Sequence, residues 1–251
     1  MRLSYVLPVH NEEAVLTRNV ARLSAHLSKS PGAEILLVEN GSRDDSWKLA
    51  CGLAEQPGPT PIRAFRVAAA GIGHAFDRGL REAIATEPNP SRRWGILTAA
   101  DLPFDFTDLD AAEPFLAQEG HASLLIGSKA HPASVVQVPL ERRLASWGYR
   151  QIRRFVSGMR TMDSQGSIFI RLDMAARLVP LVKSRDFFYT TELVLHLERL
   201  GDRPVELPVT LAPSRRASTV RPLRHGTAMF LALVLETMRG GRVPPTCGRR
   251  R

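Results

Sequence analysis

The sequence predicts an α/β fold with a mixed, mostly parallel sheet flanked by helices. Three apolar runs stop abruptly at polar or turn-forming residues: LPVHNEE at 7–13, LLVENGS at 36–42 and GILTAADLP at 95–103. Buried parallel strands end in this way when they deliver side chains to a crevice at their carboxyl ends. Strands that alternate with helices also indicate right-handed crossovers. We therefore expect a ligand site along the carboxyl edge of the sheet.

Four strands and three helices are predicted in the first 100 residues. The strands lie at 2–7, 34–39, 62–67 and 94–98, and a helix runs from 71 to 86. Asn11 is expected to cap a helix with apolar residues at helical spacing, namely Val15, Leu16, Val20, Leu23 and Leu27. Ser42 and Asp45 have the spacing of a capping box, which predicts a helix that ends near residue 56.

The second half of the chain is less regular. Its predicted elements are a helix at 108–118, a strand at 122–127, a basic helix at 140–157, a strand at 166–170, helices at 172–181 and 191–200, and a strand at 205–210. The sequence contains no internal repeat that would indicate a solenoid.

Length and composition favour one domain with an appended tail. A chain of 251 residues with 44% apolar content can bury one sizeable core. We assign this domain to 1–220, and a C-terminal helix with a basic tail to 221–251. Cys51 and Cys247 lie far apart, and the chain does not open with an export signal. A reducing, cytoplasmic setting is therefore expected.

The formal net charge of +9 is concentrated in two places. From Arg215 to Arg251 there are nine Arg, no Lys and one acid, Glu236. A second cluster comprises Arg142, Arg143, Arg150, Arg153, Arg154 and Arg160. Such density attracts the phosphate groups of lipids or nucleotides, and a solvated surface with a disordered tail is the alternative. Nucleic acid is not an expected partner, because the tail lacks interleaved aromatic residues that stack on bases.

An apolar run near the C-terminus predicts a helix at an interface. It covers eight residues, 228–235, far short of the roughly 20 that a membrane-spanning helix needs. Because Arg221, Arg224 and Arg239 flank the run, the helix could rest on an anionic membrane. A helix packed on the core explains the same pattern, and the sequence leaves both interpretations open.

Seven motifs follow one another in a characteristic order: PVHNEE, VENGSRDDS, GIGHAFDRG, TAADL, IGSK, DSQGSIFI and TTELVLHLERLGDRPVELPV. Together they resemble the family 2 glycosyltransferases of the GT-A fold, above all the dolichyl- and polyprenyl-phosphate sugar synthases, over residues 3–220. The resemblance implies a Rossmann-like sheet, a UDP- or GDP-linked sugar as donor, a lipid phosphate as acceptor, and inversion at the transferred hexose. It also implies peripheral association with the cytoplasmic face of an anionic membrane.

The resemblance assigns nucleotide binding to the ends of the first two strands. The matching positions are Pro8, His10, Asn11 and Glu12 after the first strand, and Glu39, Asn40, Gly41 and Ser42 after the second. A carboxylate such as Glu12 can accept a hydrogen bond from a ribose hydroxyl, and the amide of Asn40 can both donate and accept toward a base edge. Helix capping and turn formation are the alternative roles.

The loop that opens the third helix departs from the family pattern. Where relatives commonly read Gly-Lys-Gly, this chain has Gly71, Ile72 and Gly73, so a lysine expected near the nucleotide is missing. The two glycines permit close approach of the backbone, and Arg78 is expected to supply charge from the following helix.

The end of the fourth strand carries a larger departure. The resemblance places Ala99, Ala100 and Asp101 at the family's Asp-x-Asp motif, which leaves Asp101 as the matching carboxylate. Diphosphate and water can supply most of the oxygen ligands that Mg²⁺ or Mn²⁺ requires, so a divalent cation at Asp101 stays an open expectation. Asp105 is a less favoured additional ligand. Without a metal, cationic side chains must offset the charge on the departing nucleotide.

Later motifs are assigned to the acceptor and to phosphate groups. The resemblance implies substrate contacts by Lys129, Gln165, Glu192 and Ser218, and catalytic roles for Asp163, Arg215 and Arg216 alongside Asp101. Two adjacent guanidinium groups bind phosphate oxygens in pairs, although Thr219 replaces a family lysine there. Capping of a loop by Asp163 and of a helix by Glu192 are the alternatives.

The nature of the acceptor decides which chemistry is needed. A phosphate is already ionised near neutral pH, so its transfer reaction rests on positioning and charge neutralisation. For a hydroxyl acceptor, one of Asp163, Asp186 or Glu192 would have to take the proton. The competing hypothesis is a degenerate GT-A fold that serves as a nucleotide-binding or scaffold protein, because residues 72, 99 and 219 depart from the family pattern.

Overall fold

A computed structural model of the chain describes residues 2–118, 122–137, 140–211 and 222–243. Its strands are β1 (Arg2–Val9), β2 (Glu34–Asn40), β3 (Ile62–Val67), β4 (Arg93–Leu97), β5 (Leu124–Gly127), β6 (Val135–Val136), β7 (Ser167–Arg171), β8 (Val205–Leu207) and β9 (Thr210–Leu211). Its α-helices are α1 (Leu16–Leu27), α2 (Ser46–Glu55), α3 (Ile72–Thr86), α4 (Thr107–Leu116), α5 (Leu140–Ser157), α6 (Leu172–Leu178), α7 (Tyr189–Arg199) and α8 (Pro222–Gly240). The predicted phosphate-binding residues Arg215, Arg216 and Ser218 lie outside the described residues.

Seven strands form one sheet in the order β3-β2-β1-β4-β7-β5-β8. Strand β7 runs antiparallel to both of its neighbours, and the other pairings are parallel. The carboxyl ends of β1 to β5 and the amino end of β7 therefore meet at one edge, which we call the rim. The prediction of a mixed, mostly parallel sheet flanked by helices is confirmed. A second, two-stranded sheet pairs β6 with β9.

Helices cover both faces of the sheet because consecutive strand residues point in opposite directions. In β1, Val6 faces a core shared with α3, α6 and α7, whereas Tyr5 and Leu7 face a core shared with α1, α2 and α4. Helix α3 comes close to β1 because Gly79 has no side chain. A Cβ atom at Gly79 would lie 2.2 Å from Cγ1 of Val6.

The two predicted helix caps are wrong. Helix α1 begins at Leu16, five residues after Asn11, and Asn11 has a positive φ of 56°. Its Oδ1 atom accepts the backbone N–H of Arg43 at 2.9 Å. Helix α2 begins at Ser46 rather than near Ser42, whose Oγ atom accepts the N–H of Asn11 at 3.1 Å. Both side chains are used to join two loops, which competes with capping of their own helices.

Other boundaries differ by less. The predicted strand at 205–210 divides into β8 and β9, and the helix predicted to reach residue 181 ends at Leu178. The predicted bounds of α5 are confirmed. Helix α8 packs on α5, with Met229 and Leu233 buried against Phe188. Within the described residues, no helix combines the length and apolarity needed to cross a bilayer.

Candidate active site

The ends of β1 and β2 are joined across the rim by side-chain hydrogen bonds. Pro8 is a buried residue of strand β1, where it pairs with Val38 of β2. The next loop turns outward, and Nδ1 of His10 lies 3.0 Å from the carbonyl oxygen of Asn40. The backbone N–H of Glu12 donates to Oγ of Ser46 at 2.8 Å. These contacts, with the Asn11 bonds described above, give the two loops one fixed arrangement.

The Glu39 side chain stabilises the loop that follows β2. Its side chain is fully buried; one carboxylate oxygen accepts the N–H of Ser42, and the other accepts Nε–H of Arg66 at 2.7 Å. Arg66, which the sequence analysis missed, lies over the Trp47 ring at 5.6 Å and lines a cleft of about 500 Å³ beside Gly41. The sequence signal was an arginine near the end of an otherwise largely apolar strand.

Asn40, which precedes Gly41, has a buried hydrogen-bonding atom without a partner in the described part of the chain. The residue is 3% exposed, and its Oδ1 atom has no hydrogen-bond partner within the described residues. A buried amide oxygen without a partner is costly, so the site favours a donor from a bound molecule or water. Gly41 follows with a φ of 83°, a backbone conformation that favours glycine.

The Gly71–Gly73 loop packs against the backbone of Arg185. A Cβ atom at Gly73 would lie 2.5 Å from the carbonyl carbon of Arg185, so glycine is required for the loop before α7 to pack there. The Arg185 guanidinium lies 3.4 Å from a carboxylate oxygen of Asp77. It therefore carries positive charge close to the loop where Ile72 replaces lysine. Sequence reasoning missed it because Arg185 lies more than 100 residues away in the chain.

Arg78 does not face the rim. Its guanidinium pairs with Glu82, one helical turn farther along α3, at 2.7 Å, and lies 5.5 Å from the centre of the Phe65 ring. Because α3 begins at the rim, a side chain directed toward Glu82 points away from that edge.

The loop after β4 carries Asp101, and a hydrogen bond from Asn19 holds its backbone. Asn19, buried on the core-facing side of α1, donates from Nδ2 to the carbonyl oxygen of Ala100 at 2.9 Å. Asp101 is exposed, and Asp105, which has a φ of 53°, forms an ion pair with Arg22. Asn19 was missed, although its spacing places it on the apolar face of its helix. Ala99 and Ala100 contribute no side-chain oxygen to this loop.

The donor set at Asp101 is compatible with a divalent cation. Mg²⁺ is commonly bound through one or two carboxylates, with phosphate oxygens and water as the other ligands. Asp101 supplies one such carboxylate, and Asp105 forms an ion pair with Arg22. A cation here would depend on the substrate's own diphosphate for most of its coordination.

A second group of potential metal ligands lies away from the rim. Ligand atoms of Glu192, His196 and Glu236 lie within 4.8 Å of one another. However, Nη1 of Arg199 lies 2.6 Å from Oε1 of Glu236, and Glu192 accepts two backbone N–H groups. These contacts occupy the oxygens that a metal would need, so the group is better described as a polar link between α7 and α8.

Lys129 and Asp163 connect the end of β5 to the segment before β7. The Lys129 ammonium lies 3.1 Å from Oδ2 of Asp163, which also accepts the Lys129 backbone N–H at 3.0 Å. The other carboxylate oxygen accepts the N–H of Gln165 at 2.9 Å. Burial alone would raise the pKa of Asp163, but Lys129 and the backbone donors lower it below its ordinary value. The carboxylate is therefore ionised and already hydrogen-bonded.

The loop that carries Asp163 is fixed by a buried arginine. Arg153 of α5 is 2% exposed and donates to Oγ of Ser164 at 2.5 Å and to the carbonyl oxygen of Met162 at 3.0 Å. Glu206 accepts the backbone N–H groups of Met162 and Asp163, both at 2.9 Å. In the sequence, Arg153 was grouped with a basic cluster expected to attract phosphate groups, so its structural role was missed.

Gln165 and Glu192 hold the loop before α7. Nε2 of Gln165 donates to the carbonyl oxygen of Phe187 at 3.2 Å. Glu192 is 1% exposed and accepts the N–H groups of Lys183 and Ser184 at 2.9 and 2.8 Å. Burial opposes ionisation, but the nearby His196 ring, 3.7 Å away, and the backbone hydrogen bonds from Ser184 and Lys183 lower the pKa of Glu192 to about 2. Its position in the interior makes it a support for this loop.

Comparisons with known proteins agree with this architecture. Residues 4–176 match a sequence model described as glycosyl transferase family 2. The chain is 25% identical over 218 residues to undecaprenyl-phosphate mannosyltransferase from Micrococcus luteus, with 84% of this chain and 83% of that protein covered. It is 26% identical over 216 residues to polyprenol monophosphomannose synthase from Mycolicibacterium smegmatis, with 83% and 77% covered.

Solved structures show the same fold. Glucosyl-3-phosphoglycerate synthase from Mycobacterium tuberculosis, in complex with Mn²⁺, UDP-glucose and phosphoglyceric acid, superposes with a TM-score of 0.64 at 19% identity, covering 98% of this chain and 81% of that one. Its complex with UDP alone gives a TM-score of 0.62 at 19% identity, covering 98% and 82%. At this identity the likeness establishes the GT-A fold.

Proposed function

This chain belongs to glycosyl transferase family 2 and is a glycosyltransferase, and from that premise we propose that it transfers a hexose from a nucleotide sugar to a polyprenyl phosphate with inversion. The relatives from M. luteus and M. smegmatis are named for transfer to undecaprenyl phosphate and for polyprenol monophosphomannose synthesis, and they align over more than four fifths of this chain. The observation that carries the proposal is the convergence of Asn40, Asp101 and the Lys129–Asp163 pair on one rim.

The donor nucleotide occupies the β1–β2–β4 side of the rim. His10, Asn40 and Ser42 lie at the open ends of two strands, and the unpartnered Oδ1 atom of Asn40 suits a donor group on a base. Glu39 and Gly73 act indirectly in this proposal, because both are buried and support the loops. UDP and GDP both satisfy this description.

Asp101 holds a divalent cation in the same proposal. The cation would offset the charge that develops on the diphosphate when the sugar departs. Asn19 holds the backbone of the Asp101 loop through the carbonyl oxygen of Ala100, so the segment that carries the carboxylate is braced before substrate binds.

The acceptor phosphate approaches the Lys129–Gln165 side. A phosphate oxygen attacks the anomeric carbon, the bond to the nucleotide diphosphate breaks, and a single displacement inverts the configuration. The attacking oxygen carries no proton to remove, which agrees with the low pKa of both Asp163 and Glu192. Such carboxylates are poor proton acceptors near pH 7. Arg215, Arg216 and Ser218 remain our proposed additional phosphate ligands.

The test is a transfer assay with a panel of donors and two acceptors. Purified protein is incubated with UDP- or GDP-linked hexoses and either a short polyprenyl phosphate or the matching polyprenol, with Mg²⁺ or with chelator. We expect transfer to the phosphate alone, from one donor class, with the opposite anomeric configuration by NMR. Transfer to the alcohol would overturn the acceptor assignment. Nucleotide binding without turnover on any pair would support a scaffold protein instead.

A further inference from the structure

A large cleft lies at the edge of the sheet opposite the rim, and we call it the amino-edge cleft. It has a volume of about 880 Å³, within the range of small-molecule sites. Its lining includes Arg2, Arg92, Trp94, Leu116 and Arg171. Because β1 is eight residues long, roughly 20 Å of strand separates the cleft from the rim. A small molecule bound here therefore does not reach the donor and acceptor groups of the proposed reaction.

The cleft is positively charged. Its three arginines come from different segments: Arg2 begins β1, Arg171 ends β7, and Arg92 is an exposed residue of a single 3₁₀ turn at Pro90–Arg92. No carboxylate lines the cleft among the residues that the structure describes. Charges of one sign along a concave surface attract counter-ions to it, so the lining favours an anionic ligand.

The neighbouring acids do not cancel this charge. Glu87 is buried and shared by two arginines, since Oε1 lies 2.8 Å from Nη1 of Arg2 and Oε2 lies 2.6 Å from Nε of Arg93. Arg93 also pairs with Glu34, which in turn pairs with Arg63. This chain of ion pairs joins three arginines to two glutamates, so its own net charge is +1. Arg2, at one end of the chain, lines the cleft.

The ion pairs of Arg2 and Arg171 use only some of their guanidinium donors. Arg171 donates from Nε and Nη2 to the two carboxylate oxygens of Asp173, at 2.6 and 3.0 Å. Arg2 donates from Nη1 to Glu87. A guanidinium group has five N–H donors, so each arginine can bind a second anion while its ion pair stays in place.

We propose that the amino-edge cleft is a second anion-binding site, which takes a small molecule that bears several phosphate or carboxylate groups. A ligand with several anionic groups can contact arginines on three segments at once, whereas a single phosphate has few oxygens to share. Trp94 and Leu116 are 5% and 7% exposed and form an apolar wall. Because so little of Trp94 is accessible, it offers no face for a nucleobase, and recognition rests on charge.

Inorganic tripolyphosphate and citrate are suitable probes, because they carry several charges but no base, sugar or lipid. The full-length protein is titrated with each probe by calorimetry at low and high salt, and its melting temperature is measured with and without probe. We expect binding that raises the melting temperature and weakens as salt is added. Hydrogen exchange of the backbone amides at 89–94 should slow in the complex. No heat and no melting shift with either probe would overturn the proposal.

Matched arginine variants test the position of the site. Arg92→Gln and Arg171→Gln should each weaken tripolyphosphate binding by roughly tenfold, because each removes a charged donor. Arg18→Gln removes the same charge from an exposed position on α1 and should change the affinity less than about twofold. Arg92→Gln breaks neither the Glu87 nor the Asp173 ion pair, so it tests the site even if Arg171→Gln lowers the melting temperature. Equal losses in Arg92→Gln and Arg18→Gln would show general charge attraction and reject a site.

The rim also offers cationic groups, and Lys129→Met excludes it as the source of binding. This variant should bind tripolyphosphate like the wild type. If Lys129→Met abolishes binding and Arg92→Gln retains it, the probe binds at the rim and the proposal is wrong. The inference does not rest on the proposed function. Arg92→Gln should keep full transfer activity without polyanion, and a wild type that binds tripolyphosphate at the cleft but transfers no sugar would contradict the proposed function alone.

Discussion

The ammonium group of Lys129 lies 3.1 Å from the carboxylate of Asp163, and this ion pair joins the carboxyl end of β5 to the amino end of the neighbouring antiparallel strand. Three backbone or side-chain donors, from Lys129 and Gln165, converge on the same carboxylate. Lys129 also lies 5.6 Å from the centre of the Phe104 ring, in the loop that follows Asp101. One lysine thus connects the proposed donor and acceptor sides of the rim.

Replacement of Lys129 by methionine removes the charge of the side chain and keeps a long, unbranched side chain that can pack in the same place. The Lys129 side chain is about a third exposed, so we expect a stability loss of less than about 1 kcal/mol at pH 7. The pair lowers the pKa of Asp163, so its contribution is present above the ordinary carboxyl pKa and lost as pH falls through the lowered value. Lys129→Met should therefore flatten the acid side of the melting profile. Lys183→Met, at an exposed lysine, should leave that profile unchanged.

The Glu192 carboxylate should also make the free energy of unfolding depend on pH. Its pKa falls from 4.5 to about 2, so its contribution is complete above pH 4.5 and disappears as pH drops toward 2. Glu192→Gln should cost on the order of 2 kcal/mol at pH 7, because the amide cannot accept both N–H groups. Urea denaturation at pH 7 and pH 3 should show the difference from wild type shrinking. An undiminished difference would contradict this account, and Glu113→Gln, at an exposed glutamate of α4, is the control.

The cation requirement should depend on Asp101. Asp101→Asn should raise the Mg²⁺ concentration for half-maximal transfer by at least about tenfold, because it removes the one carboxylate proposed as a ligand. Asp105→Asn, four residues later, loses the ion pair with Arg22 and should leave the Mg²⁺ requirement unchanged. The measurement is initial rate against Mg²⁺ concentration. Identical curves for Asp101→Asn and wild type would reject a metal at this residue.

Gly73 should tolerate no side chain. An added Cβ would meet backbone atoms of Arg185 at 2.5 to 2.9 Å, so Gly73→Ala must displace the loop before α7. We expect a loss of about 1–3 kcal/mol and weaker nucleotide binding. Gly52→Ala is the matched control in α2, where a Cβ meets nothing within 4 Å, and it should stabilise the protein by up to about 1 kcal/mol. Chemical denaturation and nucleotide titration measure both; a neutral Gly73→Ala would show that the contact is not required.

Asn19 should act on nucleotide binding through the Asp101 loop. Asn19→Ala leaves the carbonyl oxygen of Ala100 without its buried donor, which should cost about 1–3 kcal/mol of stability. Thr17→Ala, on the exposed side of the same helix, should cost less than about 0.5 kcal/mol. Titration with UDP or GDP should show weaker binding by Asn19→Ala alone. Wild-type affinity would mean that the loop keeps its position without this bond.

The elements predicted well are those with a strong local signal. Strand β3 and helix α5 have the predicted bounds, because a short apolar run and a long helical periodicity are each set by neighbouring residues. The caps at Asn11 and Ser42 failed for the opposite reason. Each side chain had a nearby helix to cap and a distant loop to bond, and the sequence does not show which partner is closer.

The residues missed at the candidate site share one property, namely a partner far away in the chain. Asn19 contacts Ala100 and Arg185 contacts Gly73, so no local pattern reports either contact. Arg153 was grouped with the basic cluster expected to attract phosphate, because composition does not distinguish an exposed guanidinium from one that is buried and hydrogen-bonded to a loop.

By itself, the sequence determined the α/β fold, the rim where its motifs end, and the family to which the chain belongs. Those features follow from apolar periodicity and from the order of motifs, which are properties of the chain read in one dimension. Only the tertiary structure decided that Glu192 and Arg153 are buried supports, that Arg185 lies against Gly73, and that arginines from three distant segments line the amino-edge cleft. Burial, ion pairing and packing depend on contacts between residues that are distant in the chain, and only the folded structure determines which of these contacts form.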